Sequence, residues 1–238
     1  MNPAIDLAYV ASAMADPSRA IMLSSLLGGV ALPAGELAYR ARVSAPTASG
    51  HLARLVEAGL VVVRRFGRFR YYELAGPAVA ELVEAMMSLS PRVTEGPRSR
   101  VPDDLRRARL CYDHLAGALG VGLADRLVSG GLLVLDAGDF RLTPEGERAF
   151  AAFGIDTALL RRHRRPLIRS CLDWSERRCH LAGGLGAALT RRIFELDWIQ
   201  RVPGTRRLEV TPAGLAGFAA QFGLDPAASA PPDSPALP

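Results

Sequence analysis

The chain contains the same passage twice. HLAGALGVGL (His114 to Leu123) returns as HLAGGLGAAL (His180 to Leu189), and RLTPEGERAFAAFGID (Arg141 to Asp156) returns as EVTPAGLAGFAAQFGLD (Glu209 to Asp225). So many identities in the same order point to an internal duplication, and any fold must then accommodate two like units. Each copy predicts a helix carrying His-Leu-Ala-Gly, a second apolar helical stretch, a β-hairpin, and a closing helix that ends at Phe-Gly. The hairpins are expected where Leu132 to Leu135 meets Asp139 to Leu142, and where Trp198 to Val202 meets Arg207 to Val210. Thr143 and Thr211 can N-cap the closing helices, with Pro144 and Pro212 at the first helical position. Two winged-helix-like half-units packed about a pseudo-twofold axis are the expectation.

A different pattern occupies the first 90 or so residues. In SAPTASGHLARLVEAGLVVVRRFGRFRYYEL (Ser44 to Leu74), Ser44 can N-cap a helix that tolerates Pro46 in its first turn. Leu52, Leu55, Val56 and Leu60 fall at three- and four-residue steps and predict one apolar stripe, and Gly59 predicts a left-handed cap. Thr47, Ser49, His51 and Arg54 take the other face. Short hydrogen-bonding groups near a helix N-terminus are what a helix entering the DNA major groove presents to base edges and phosphates. Two β-rich runs then pair around Phe66-Gly67, with Arg64, Arg65, Arg68 and Arg70 in or beside the turn. Arg40 to Tyr72 holds seven arginines against the single Glu57, a local excess of six positive charges that suits a polyanion. Upstream, helices are predicted over Ala4 to Ala15, from Pro17 to Gly28-Gly29, and over about Pro33 to Ala41. Gly76 to Leu89 predicts another, whose apolar side of Val79, Leu82, Val83, Met86 and Met87 suits packing on a second subunit.

Three segments, MADPSRAIMLSSLL (Met14 to Leu27), ELAYRARVSAPTASGHLARLVEAGLV (Glu36 to Val61) and RRFGRFRYYEL (Arg64 to Leu74), together resemble the ArsR/SmtB family of dimeric bacterial repressors. The resemblance implies a winged helix-turn-helix domain whose Ser44, Ala45, Thr47, Ala48, Ser49, His51 and Arg54 face DNA, with the first and last helices of the domain forming a homodimer. Gly50 departs from the family pattern, which usually has a larger residue there. Metal-sensing members typically carry thiolates in the helix before recognition, or carboxylates and His on the last helix. Leu37 to Val43 has no Cys, and Gly76 to Leu89 has no His.

The expected fold class is therefore mainly α with small β-hairpins, an α+β arrangement. The expected order is a DNA-binding and dimerisation domain over 1–92, a linker over 93–105, a C-terminal domain over 106–225 in two repeats (106–156 and 157–225), and a disordered Pro/Ala/Ser-rich tail over 226–238. With 49% apolar and 22% charged residues, the composition is that of a globular protein. No run of 18 apolar residues suggests a membrane span, no signal-peptide pattern is present, and three sparse cysteines argue against a secreted disulfide scaffold. A cytoplasmic regulator is the expectation, most simply a repressor of an operator in double-stranded DNA. An unidentified inducer would act on the C-terminal domain.

The repeats also carry reactive side chains. Cys111-Tyr-Asp113-His114 is answered by Cys171-Leu-Asp173, but the cysteine-to-histidine spacing is 3 in one copy and 9 in the other. Three readings fit Cys111, His114, Cys171 and His180: buried structural residues, a redox pair, or a site for a soft divalent metal in tetrahedral geometry. No other motif implies a cofactor. A thiol-dependent enzyme is the alternative from another class, although no glycine-rich phosphate loop or nucleophile elbow accompanies the cysteines. Trp174 to Arg178 is an insertion of the second copy that could start a salt-bridged segment or bind an anion. Arg161 to Arg165 could touch phosphate or face solvent.

Overall fold

The computed structural model describes residues 3–66, 69–89, 103–136 and 138–227. These fall into two compact units, one of residues up to Val83 with Pro203–Arg206, the other of Glu84–Val202 and Arg207 onward.

The first unit opens with α1 (Pro3–Met14) and α2 (Pro17–Ser25). The Asp16 carboxylate caps α2 by accepting from the Arg19 amide, and Pro17 occupies a first-turn position where a missing N–H costs nothing. After β1 (Leu32–Pro33) comes α3 (Ala34–Ala41), which ends at Arg42 in the left-handed region with φ 54°. Its chain then turns into α4 (Ala45–Glu57), followed by β2 (Val61–Phe66), β3 (Phe69–Leu74) and α5 (Pro77–Leu89). The strands form an antiparallel sheet in the order β1-β3-β2. Met22, Leu26, Leu37, Leu52 and Leu55 interlock between α2, α3 and α4 and are essentially inaccessible to water. Val56, expected in the apolar stripe, instead stands at the surface, and the buried face of α4 is made by Ala48, Leu52 and Leu55.

The second unit runs α6 (Asp103–Arg107), β4 (Arg109–Cys111), β5 (His114–Ala116), α7 (Gly117–Ser129), β6 (Leu133–Asp136), β7 (Asp139–Leu142), α8 (Pro144–Ala152), α9 (Thr157–Arg161), β8 (Arg169–Leu172), β9 (Cys179–Ala182), α10 (Gly183–Glu195), β10 (Ile199–Arg201), β11 (Leu208–Val210) and α11 (Pro212–Phe222). Hairpin, helix, hairpin, helix thus occurs twice. The expected linker ends early, since Asp103 already opens α6, and its residues 93–102 lie outside the described residues, as do 228–238 of the expected tail.

His-Leu-Ala-Gly proves to be a strand that turns into a helix, not a helix throughout. In both copies His-Leu-Ala is the second strand of a hairpin and the glycine begins the helix, with φ 77° at Gly117 and 82° at Gly183. A Cβ on Gly117 would also stand 2.5 Å from the Arg106 carbonyl oxygen. Two requirements, a positive φ and a closely approaching carbonyl, therefore explain the motif's glycine. Three residues into each helix, Gly120 lies against the Leu115 carbonyl and near the His180 Cβ, while Gly186 lies against the Leu181 carbonyl and near the His114 Cβ. Each helix thus rests on its own strand and on the other copy's histidine. Consistently, α7 packs on β9 and α10 on β5, and the Leu115 amide donates to Thr190 Oγ1 at 2.9 Å. Leu119, Leu127, Phe150, Leu185, Ile193 and Phe218 form one continuous core under both copies.

Two glycine-to-alanine substitutions should move stability in opposite directions. Gly50, exposed on α4 with open space around the position of a Cβ, should accept Ala with a gain of up to about 1 kcal/mol. Gly117→Ala should cost about 1–3 kcal/mol in its own unit. Chemical denaturation of both variants checks the pair of signs.

Candidate functional site

In α4, Ser44 Oγ accepts from the Thr47 amide at 3.3 Å and lies 2.8 Å from Thr47 Oγ1. Ser49 Oγ donates to the Ala45 carbonyl at 3.0 Å. Ser44, Ala45, Thr47, Ser49 and Arg54 are all exposed along one side of the helix. Two residues expected beside them are placed differently. Ala48 is fully buried, because it faces α2 and α3 from the core side of the first turn, and so leaves the DNA-facing set. His51 is half-buried, its Nδ1 3.2 Å from Arg19 Nη1 and its Nε2 3.9 Å from Asp16 Oδ1, so it ties α4 to the cap of α2. Arg54 leans over the Tyr9 ring, 5.2 Å from its centroid.

On the hairpin, Arg65 stands directly opposite Arg70 in the ladder, and both are exposed. Like charges in that position repel, a cost that an anionic surface would convert into attraction. Arg64 Nε donates to Glu73 Oε1 at 2.6 Å, so part of its charge is already answered. Arg68 lies outside the described residues.

A second constellation lies in the other unit. Cys111 is the cross-strand partner of His114 in β4–β5, and Cys171 is the partner of His180 in β8–β9. The unequal sequence spacing disappears in this register. A two-residue turn joins the first pair and a six-residue loop, Asp173 to Arg178, joins the second. The one candidate ligand atom offered by each of the four residues lies within 4.8 Å of the others. The two Sγ atoms are 3.8 Å apart, and the imidazole rings stack with centroids 5.1 Å apart. Cys111, His114 and His180 are at most 4% exposed. His114 Nε2 and both ring nitrogens of His180 have no hydrogen-bond partner among the described residues. Cys179, opposite Leu172, stays out of the group because neighbouring strand residues face opposite ways.

Carboxylates back the cluster. His114 Nδ1 is 3.2 Å from Asp113 Oδ1, and Asp113 is gripped in turn by the Arg165 guanidinium. Asp173 Oδ2 lies 3.6 Å from His180 Nδ1, while its Oδ1 accepts from Arg109 Nη2 at 2.7 Å, with neither side chain of that ion pair exposed. The Arg109 guanidinium stacks over Trp174, 4.6 Å from the ring centroid. Neither Arg109 nor the Asp173 carboxylate announces this pairing in the sequence. Two arginines of the basic run are paired, Arg165 with Asp113 and Arg161 with Glu147, while Arg162 and Arg164 are exposed.

These contacts set the protonation states. Burial alone would raise the Asp113 pKa, but the hydrogen bond with His114 and the ion pair with Arg165 bring it down to about 2. Burial likewise opposes ionisation of Asp173, and Arg109 overrides it, holding the carboxyl well below the usual range. For Cys171, hydrogen bonding from Cys111 outweighs burial and, with His114 and His180 beside it, draws the thiol well below its ordinary value. Burial pushes His114 down, yet Asp113 and Cys171 together leave it raised.

A capped, exposed helix seated on α2 and α3 and followed by a basic two-stranded wing defines the first unit as a winged helix-turn-helix. The family model described as a helix-turn-helix domain matches residues 14–64. Over 220 residues the chain is 44% identical to the uncharacterized HTH-type transcriptional regulator YdfF of Bacillus subtilis, a match covering 92% of this chain and 96% of that protein. It is 41% identical over 71 residues, 30% of this chain and 56% of the relative, to a probable mercury resistance operon repressor of Streptomyces lividans. It is 37% identical over 97 residues, 41% of this chain and 73% of the relative, to the arsenic resistance transcriptional regulator ArsR1 of Pseudomonas putida. The chain belongs to the HTH-type transcriptional regulators of the ArsR family and is a DNA-binding transcription regulator.

The buried ion pair gives a pH test with a definite sign. A carboxyl whose folded pKa is depressed contributes stability that is complete above its ordinary value, 3.8, and is lost as pH falls through the folded value. Asp173→Asn leaves Arg109 buried without its counter-charge and should cost about 3–5 kcal/mol at pH 7. The gap between the stability curves of the variant and the natural protein should begin to close as pH falls below 3.8 and vanish only below the folded value.

Proposed function

We propose that the chain acts as a homodimeric repressor, without catalytic activity of its own, that sets α4 of each protomer into successive major grooves of a near-palindromic operator. The observation that carries this reading is the surface of α4: Ser44, Thr47 and Ser49 are exposed at the capped end, with Ala48, Leu52 and Leu55 buried behind them. Thr47 and Ser49 meet base edges, and Ser44 and the amides of the first turn meet phosphate. Arg65 and Arg70 carry the wing onto the phosphate backbone, and His51 holds the helix in place rather than reading sequence. The apolar side chains left open on α5, Leu82, Met86 and Leu89, supply the dimer contact. Repression accords with the Streptomyces relative, a probable mercury resistance operon repressor. No helix among the described residues is long and apolar enough to cross a membrane, which accords with a cytoplasmic place of action. The second unit receives the signal that alters dimer geometry and releases the half-sites.

Fluorescence anisotropy of the full chain against duplexes from its adjacent promoter tests the reading. Each of Arg65→Ala and Arg70→Ala should weaken binding on all sequences and lower the slope of log affinity against log salt by about 1. Thr47→Ala should instead lose discrimination at one or two base pairs, by about 1–3 kcal/mol each. Unchanged salt slopes in both arginine variants would exclude the hairpin from the interface.

A further inference from the structure

We infer that Cys111, His114, Cys171 and His180 form a tetrahedral site for a zinc-class divalent cation, which fastens the two copies of the repeated motif together. The site goes beyond the DNA-binding reading and stands or falls without it.

Three independent features of the cluster point to a cation. The first is the donor set. Two thiols and two imidazoles converge from paired strands with all ligand atoms inside 4.8 Å, and two sulfurs with two nitrogens are a recurrent set for tetrahedral zinc. The second is the sulfur separation. Two sulfurs each about 2.3 Å from a tetrahedral centre lie about 3.8 Å apart, and Cys111 and Cys171 are separated by 3.8 Å, far beyond the roughly 2.05 Å of a disulfide. The third is the unsatisfied histidines. Buried polar atoms nearly always have partners, yet His114 Nε2 and both nitrogens of the 1%-exposed His180 have none among the described residues. A metal ion would take one nitrogen from each ring.

The surroundings fit the same chemistry. Asp113 beside His114 Nδ1, and Asp173 at 3.6 Å from His180 Nδ1, are the outer carboxylates that orient ligating imidazoles and leave Nε2 for the metal. Both occupy the second position after a ligand cysteine, so each copy contributes the same Cys-x-Asp and a cross-strand His. Binding replaces the remaining thiol protons by sulfur–metal bonds and releases those protons to solvent, with no change of oxidation state. Because each copy supplies half of the ligands, occupancy adds directly to the stability of the second unit.

The test uses the full chain with zinc and cobalt(II) as probes. Metal analysis of protein dialysed against zinc should find one ion per chain. Cobalt should give the intense visible bands of a tetrahedral centre together with a sulfur-to-cobalt charge-transfer band. Cys111→Ser and Cys171→Ser should lose the charge-transfer intensity stepwise, Cys179→Ser should keep it, and Asp113→Asn should bind zinc about 10–100-fold more weakly in competition with a chromophoric chelator. Should a cysteine variant fail to fold, protection of the natural protein's Cys111 and Cys171 from alkylation by bound zinc gives the same answer. Absence of a stoichiometric ion, an undiminished sulfur–cobalt band in both serine variants, or ready formation of a Cys111–Cys171 disulfide in the presence of zinc would overturn the proposal.

Discussion

The second unit depends on one buried carboxylate. Asp173 Oδ1 accepts from Arg109, from the Ser175 amide and hydroxyl and from the Glu176 amide, and its Oδ2 accepts from the Gly117 amide at 2.7 Å. A charge with no exposure to water persists only when its bonding capacity is filled, and here the donors come from both copies of the repeated motif. The loop inserted in the second copy is thereby folded onto the strand and helix start of the first. Arg165 performs the reciprocal task, reaching from the second copy to Asp113 of the first. Crossed ion pairs and crossed helix–strand packing make the two copies mutually dependent.

That arrangement gives the unequal spacing its physical meaning. Cys111 and His114 flank a tight two-residue turn, whereas Cys171 and His180 are held apart in sequence by the Asp173 to Arg178 loop, yet both pairs sit in the same ladder relation. The insertion did not displace a ligand from the cluster. It added the Trp174 face against which the Arg109 guanidinium lies, so a cation is kept in the interior a short distance from the histidines without competing for them.

Much of this was legible in the chain itself, and the failures have identifiable causes. Caps are local, so Ser44, Thr143 and Thr211 marked their helices correctly. The repeat named the Cys and His residues that come together, because it pairs positions regardless of where the strands run. Short apolar runs such as His-Leu-Ala read equally well as helix or strand, and the decision rests on the Gly117 and Gly183 backbone, which periodicity does not encode. Ala48 joined the DNA-facing set through the family resemblance alone, and its methyl group instead lies buried on the core side of α4. The Arg109–Asp173 pair joins positions 64 residues apart and left no local trace.

The first unit presents the exposed α4 face and an arginine-bearing wing, and the second unit holds an interior centre where both copies of the repeat meet. Arg65 and Arg70 are exposed and face each other on the wing, while Arg109 and Arg165 of the second unit are paired with the carboxylates of Asp173 and Asp113. X-ray absorption at the zinc edge of the loaded full chain examines the centre most directly. Two sulfurs at about 2.3 Å and two nitrogens at about 2.0–2.1 Å are expected. A shell of oxygen and nitrogen alone, or a sulfur count other than two, would contradict the account.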